Sequence, residues 1–118
     1  MQIWKDGDKR GITPANHFGG LNVLDIVPFA GKSFSVQVSK APPGGGGELH
    51  HHDNWSQVFY VVEGQMTFDT GRERFSLNKG QSVLFEPGDP HYTLNEGNAE
   101  STCLVITIDH DKERTAQR

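Results

Sequence analysis

A chain of 118 residues is one ordinary domain, long enough to bury about two thirds of its unfolded surface and too short for a second core. With 15 Asp plus Glu against 11 Lys plus Arg, a formal net charge of -4 and no basic run, it lacks the clustered cations that neutralise phosphates, which excludes nucleic acid as a partner. No apolar run approaches the ~20 residues that span a bilayer, and the first residues lack the apolar core of a signal peptide, so no membrane partner and a soluble cytoplasmic protein are expected.

Glycines and prolines are spread along the whole length, as in a chain of short strands separated by turns. Residues 1–20 are polar and irregular, an N-terminal arm in which Ile3-Trp4 is apolar enough to dock, as an edge strand or across a subunit boundary. Residues 21–27 and 33–39 read as strands, the second with Phe34, Val36 and Val38 on one side and Ser35, Gln37 and Ser39 on the other. The run from Pro42 to Gly47 reads as a connector rather than a phosphate cradle, and Gly31-Lys32-Ser33 would need a glycine at Ile26 to make a P-loop. Residues 57–62 are strongly β-prone, and Glu63-Gly64 turns them into residues 65–68, a hairpin signal. Strands follow over 72–77, 83–85, 91–94 and 101–108, with Asn78-Lys79-Gly80 and the stretch from Glu86 to Pro90 as turns between them. The charged tail, 109–118, reads as a frayed terminus or a short surface helix. About eight to ten strands at this spacing predict one all-β domain over 1–118, a small barrel or jelly roll built from residues 21–108. Cys103, the single cysteine, lies in an apolar run and reads as a buried structural thiol.

The stretch from His50 to Gln57 carries the chemistry. On an extended strand His50 and His52 share a face while His51 looks the other way. Gln57 stands an odd number of residues beyond His52, and the turn chemistry of Asp53-Asn54 can reset the phase and bring it back. A third imidazole, His91, follows a turn ending in Gly88-Asp89-Pro90. Histidines at i and i+2, a later histidine and an intervening amide match the donor sets that suit first-row transition metals. His17 and His110 have no such company and read as surface residues; His51 reads as surface or as support for its neighbours.

Here the chain resembles the cupin superfamily. Its first motif, G-x5-H-x-H-x(3 or 4)-E-x6-G, is matched by Gly44, His50, His52 and Gly64, with Gln57 in the glutamate position. Its second, G-x5-P-x-G-x2-H-x3-N, is matched by Gly80, Gly88, His91 and Asn95, with Glu86 in place of the proline. The resemblance implies a conical β-barrel (jelly roll, double-stranded β-helix) holding one divalent transition metal ion (Fe, Mn, Ni or Zn) through His50, His52, Gln57 and His91. It also implies a homodimer, often with exchanged N-terminal strands, and a small-molecule ligand or substrate.

Gln57 is the informative departure. Three imidazoles and a carboxamide are neutral, so a divalent ion keeps its full charge and acts as a stronger Lewis acid than beside a glutamate. Gln57 also cannot act as a general base. The first expectation is therefore a Lewis-acid cupin enzyme of isomerase, lyase or cyclase type acting on an oxygen-rich molecule. The alternatives are an iron-dependent dioxygenase and a non-catalytic binding cupin. Phe59, Val61, Met66, Phe68, Phe85 and Tyr92 or Thr93 are the expected pocket lining, and no general base is identifiable, the last strand having no carboxylate over 102–108.

Overall fold

The computed structural model describes residues 1–5 and 11–112. Among them ten strands run in order: β1 (His17–Phe18), β2 (Asn22–Val27), β3 (Phe34–Ala41), β4 (Gly46–His50), β5 (Trp55–Glu63), β6 (Gln65–Asp69), β7 (Arg74–Asn78), β8 (Ser82–Phe85), β9 (His91–Leu94) and β10 (Ser101–Asp109). They form two five-stranded antiparallel sheets, ordered β1-β4-β9-β6-β7 and β2-β3-β10-β5-β8. The all-β jelly roll expected from the alternating pattern is the fold observed. No helix among the described residues is long and apolar enough to cross a membrane.

β10 is the spine of the second sheet, paired with β3 from Ser101 to Ile108 and with β5 from Thr102 to Asp109. Its alternation is strict: Ser101, Cys103, Val105 and Thr107 are buried between the sheets, and the residues between them are only half-buried. Val61 and Phe68 are fully buried and form one core cluster with Met66, Phe85 and Val105 between the sheets. Asn95 closes one end: its side-chain amide donates to Ala41 O and Ala99 O, both at 2.8 Å, and its backbone exchanges hydrogen bonds with Gly44 and Gly45.

Two elements differ from the sequence expectation. The Gly46-Gly47 part of the presumed connector is strand, because β4 lies so close to β9 that a Cβ on Gly46 would overlap the Thr93 carbonyl oxygen. Glycine is a poor strand former, but here it permits a backbone approach that any other residue blocks. The arm over 12–18 folds back on its own barrel, Ile12 bridging Val23 and β1 pairing with β4. Trp4 lies under the Lys32 ammonium at 5.2 Å. In the tail, the Asp109 carboxylate caps a single helical turn over 110–112 through the amides of Asp111 and Lys112. The rest of the expected tail, 113–118, and residues 6–10 of the arm lie outside the described residues.

Candidate functional site

The gap between the sheets opens at one end into a cavity of about 320 Å³. His17, His50, His52, Trp55, Gln57, Phe59, Met66, His91, Thr93, Cys103 and Val105 are among its lining residues. The four predicted ligands therefore share one cavity, although they arrive there differently from the sequence reading. β4 ends at His50, so His52 is not on the same strand but in the following turn. It is held there from outside: the Gly88 amide in the β8–β9 turn donates to His52 O at 2.9 Å, and the His52 ring stacks on Trp55 with centroids 4.2 Å apart. His51 points away, exposed, with its imidazole 3.4 Å from the Asp53 carboxylate.

The three imidazoles form a cluster. Ring centroids are 4.5 Å apart for His50 and His91, 4.9 Å for His50 and His52, and 6.3 Å for His52 and His91. Nonetheless, among the described residues no three His, Cys, Asp or Glu side chains surround a common point suited to a metal ion. His50 sets its Nδ1 against Glu48 O at 2.7 Å, and His91 sets its Nδ1 towards Asp89 O at 3.4 Å, in each case a carbonyl two residues back, which leaves Nε2 as the free donor atom. His91 is almost wholly buried, stacked on Phe85 with centroids 4.5 Å apart. Burial, then the neighbouring His50, pushes its imidazole down from 6.5 to about 4; His52 is lowered by the same two causes in the same order. Both rings are thus neutral at pH 7, the form in which imidazole binds a cation.

Gln57 pairs across the sheet with Thr107, and its Nε2 donates to the Thr107 hydroxyl at 3.0 Å. That bond leaves Gln57 Oε1 as the free end of the amide. Gln57 Oε1 and His91 Nε2 are both buried with no hydrogen-bond partner among the described residues. Cys103, in the cavity wall, is buried and its thiol is pushed up to about 11 by that burial, as expected of an inert structural cysteine.

Of the expected lining, Phe59, Met66 and Thr93 face the cavity, while Val61, Phe68 and Phe85 lie in the core. Tyr92 turns outward and stacks on Phe18. Two histidines were misread. His110 is not solitary: its Nε2 lies 2.7 Å from the Ser56 hydroxyl. His17 belongs to the cavity wall, 6.2 Å from the His50 ring, with its Nδ1 held at Ala15 O at 2.9 Å. Local sequence could not show this, since the ring is delivered by a two-residue strand after Asn16, whose backbone is left-handed (φ 63). Opposite it, Gly47 leaves the room that the imidazole fills.

The family model of the cupin domain (Cupin_2) matches residues 37–107, and the chain belongs to that family. It is 26% identical over 69 residues to an oxalate-binding protein of Thermotoga maritima, covering 58% of this chain and 57% of that one. The chain spans between 46% and 63% of the length of the curated relatives it matches. Among solved structures it resembles a predicted oxalate decarboxylase from Thermotoga maritima (TM-score 0.80, 18% identity, 92% of this chain and 99% of that one). It also resembles the polyketide cyclase RemF from Streptomyces resistomycificus (TM-score 0.77, 16% identity, 100% and 94%). At these identities the structural likeness is one of fold.

Proposed function

We propose that this cupin is a metal-dependent enzyme acting on a small, oxygen-rich molecule by Lewis-acid chemistry, of isomerase, lyase or cyclase type, with His50, His52, Gln57 and His91 holding one divalent transition metal ion. The carrying observation is the pair of buried, partnerless acceptors, Gln57 Oε1 and His91 Nε2, in one cavity. Leaving such an atom unsatisfied costs about 1–3 kcal/mol, and a cation relieves both at once. Because the rings do not yet surround one point, coordination by all four donors asks for rotation of His50 or His52, the two less buried imidazoles. Such an ion, ligated only by neutral groups, would supply a Lewis acid of undiminished charge towards a carbonyl, enolate or carboxylate oxygen.

The chain's own residues then define the ligand. Among the described residues no Asp, Glu, Lys or Arg lines the cavity, so the wall offers no charge of its own. Phe59, Met66 and Val105 exclude water on the apolar side, and polar recognition falls to the histidine end and to Gln37, Ser39 and Thr93. His17 is the one cavity imidazole outside the ligand set; with Nδ1 committed to Ala15 O, its Nε2 is left to accept a hydrogen bond or proton from the ligand. The likeness to an oxalate-binding protein supports a ligand bearing carboxylate oxygens. A second reading, non-catalytic binding of a small carboxylate, is favoured by the lack of a carboxylate base in the described wall.

Metal analysis of protein purified without chelators tests the reading, followed by calorimetric titration with oxalate and by oxygen-uptake assays. About one zinc, nickel or manganese ion per chain, with oxalate binding that disappears on chelation, is the expected result. Iron together with ligand-dependent oxygen uptake would replace it with the dioxygenase reading, and a chain that retains no added metal would overturn it.

A further inference from the structure

We propose that Gln37, held in place by Asp25, is a specificity-determining residue of the cavity: it accepts a hydrogen bond from a hydroxyl at the end of the ligand away from the metal, so that the ligand is a hydroxycarboxylate. This rests on the metal-bearing cavity proposed above and names what else that cavity reads.

The polarity of β3 carries the argument. On a strand packed over a core the inward positions are apolar; β3 does the reverse. Its inward side chains are Ser35, Gln37 and Ser39, the last two in the cavity wall, while Phe34, Val36 and Val38 face out. Cross-strand register sets Gln37 in an inner row with Asp25 on one side and Val105 and Phe59 on the other. Val105 and Phe59 have no polar side-chain atom to offer, so within that row the amide is satisfied from β2 or from the cavity.

Asp25 takes one end of it, Gln37 Nε2 donating to Asp25 Oδ1 at 2.7 Å. The direction of the amide follows from chemistry, because a carboxylate only accepts and therefore draws the NH2 side. Gln37 Oε1 is left on the opposite side, towards β10 and the cavity, and among the described residues nothing donates to it. Asp25 itself stands outside the wall, which offers the Ser39 and Thr93 hydroxyls and, among the described residues, no charged side chain. A neutral acceptor in such a wall suits a hydroxyl; an ammonium would shed its hydration there without a counter-charge.

Register also sets the length of the ligand. Gln37 lies two strands from Gln57 and one inner row further along, which at ~4.8 Å per strand and ~3.3 Å per residue separates the two backbones by roughly 12 Å. With a carboxylate at the metal end, a chain of roughly four to six carbons brings a terminal hydroxyl to Gln37. Oxalate has no hydrogen-bond donor and would engage the metal end alone.

Calorimetric titration of the metal-loaded protein tests this with 4-hydroxybutanoate, 5-hydroxypentanoate and 6-hydroxyhexanoate, each against the same acid without its hydroxyl. The wild type is expected to bind at least one hydroxy acid about tenfold more tightly than its plain partner, the effect of one well-made hydrogen bond. Gln37→Leu removes that preference. Asp25→Ala, at an exposed carboxylate, cuts it to about threefold by freeing the amide, and Asp25→Asn, which keeps an acceptor oxygen, restores it. Should Gln37→Leu misfold, the two Asp25 variants decide. A wild type that binds the plain acids with no preference at any length would overturn the proposal and leave the metal site standing, and so would a preference that survives Gln37→Leu. Indifference to both Asp25 variants, as expected of an inward charge that only guards a sheet edge, would do the same. Tighter binding of 6-aminohexanoate than of 6-hydroxyhexanoate would overturn the hydroxyl as the group read. If metal is retained but no acid binds, this proposal fails alone; if no metal is retained, the cavity reading fails with it.

Discussion

Gln57 sits between a hydroxyl that fixes its amide and a cavity that receives its oxygen. In the proposed site an amide oxygen is a weaker donor than imidazole to a first-row ion. Gln57→Ala is therefore expected to weaken metal retention by roughly tenfold or less, and His52→Ala by roughly a hundredfold or more, as measured by competition with a chromophoric chelator. Equal losses would contradict the ranking. Much at this scale was legible: His50, His52, Gln57 and His91 do share a cavity, and His51 does turn away. Thr107 and His17 were not, because a cross-strand partner fifty residues off and a ring delivered by a left-handed Asn16 leave no local signal.

At the scale of elements, β4 shows how backbone approach outweighs intrinsic preference. Its glycines look like a connector, yet Gly46 is pinned against Thr93 of β9, and His50 at the end of the same strand pairs with His91. Gly46→Ala should therefore destabilise by about 1–3 kcal/mol through overpacking against backbone, with the β4–β9 pairing disturbed. Gly71→Ala, left-handed but with open space around it (φ 85), should cost only about 1 kcal/mol in urea unfolding. If both cost the same, close approach is not what Gly46 provides. Alternation predicted the strands well because period two survives in any sheet. It could not say which face of β3 is inward, since the same pattern describes a strand with its polar residues lining a cavity.

For the whole molecule, acid sensitivity follows from one buried ring. His91 titrates at 6.5 in the unfolded chain and about 4 in the fold, so between those values the unfolded state binds a proton that the folded state does not. Stability of the metal-free protein therefore falls as pH drops from about 6.5 to about 4, by on the order of 3 kcal/mol in full, and His52 adds in the same direction. Urea midpoints measured across that range check this; a midpoint that stays level or rises on acidification would contradict it. The hydrogen bond from Gly88 to the His52 carbonyl carries a different consequence. The histidine run is contiguous in sequence, but its shape is imposed by a turn some thirty-six residues later and by a hydroxyl on the last strand. A peptide copied from 44–64 would keep three of the four donors, lack His91 and lose the arrangement, so this site belongs to the topology and cannot be grafted as a linear tag.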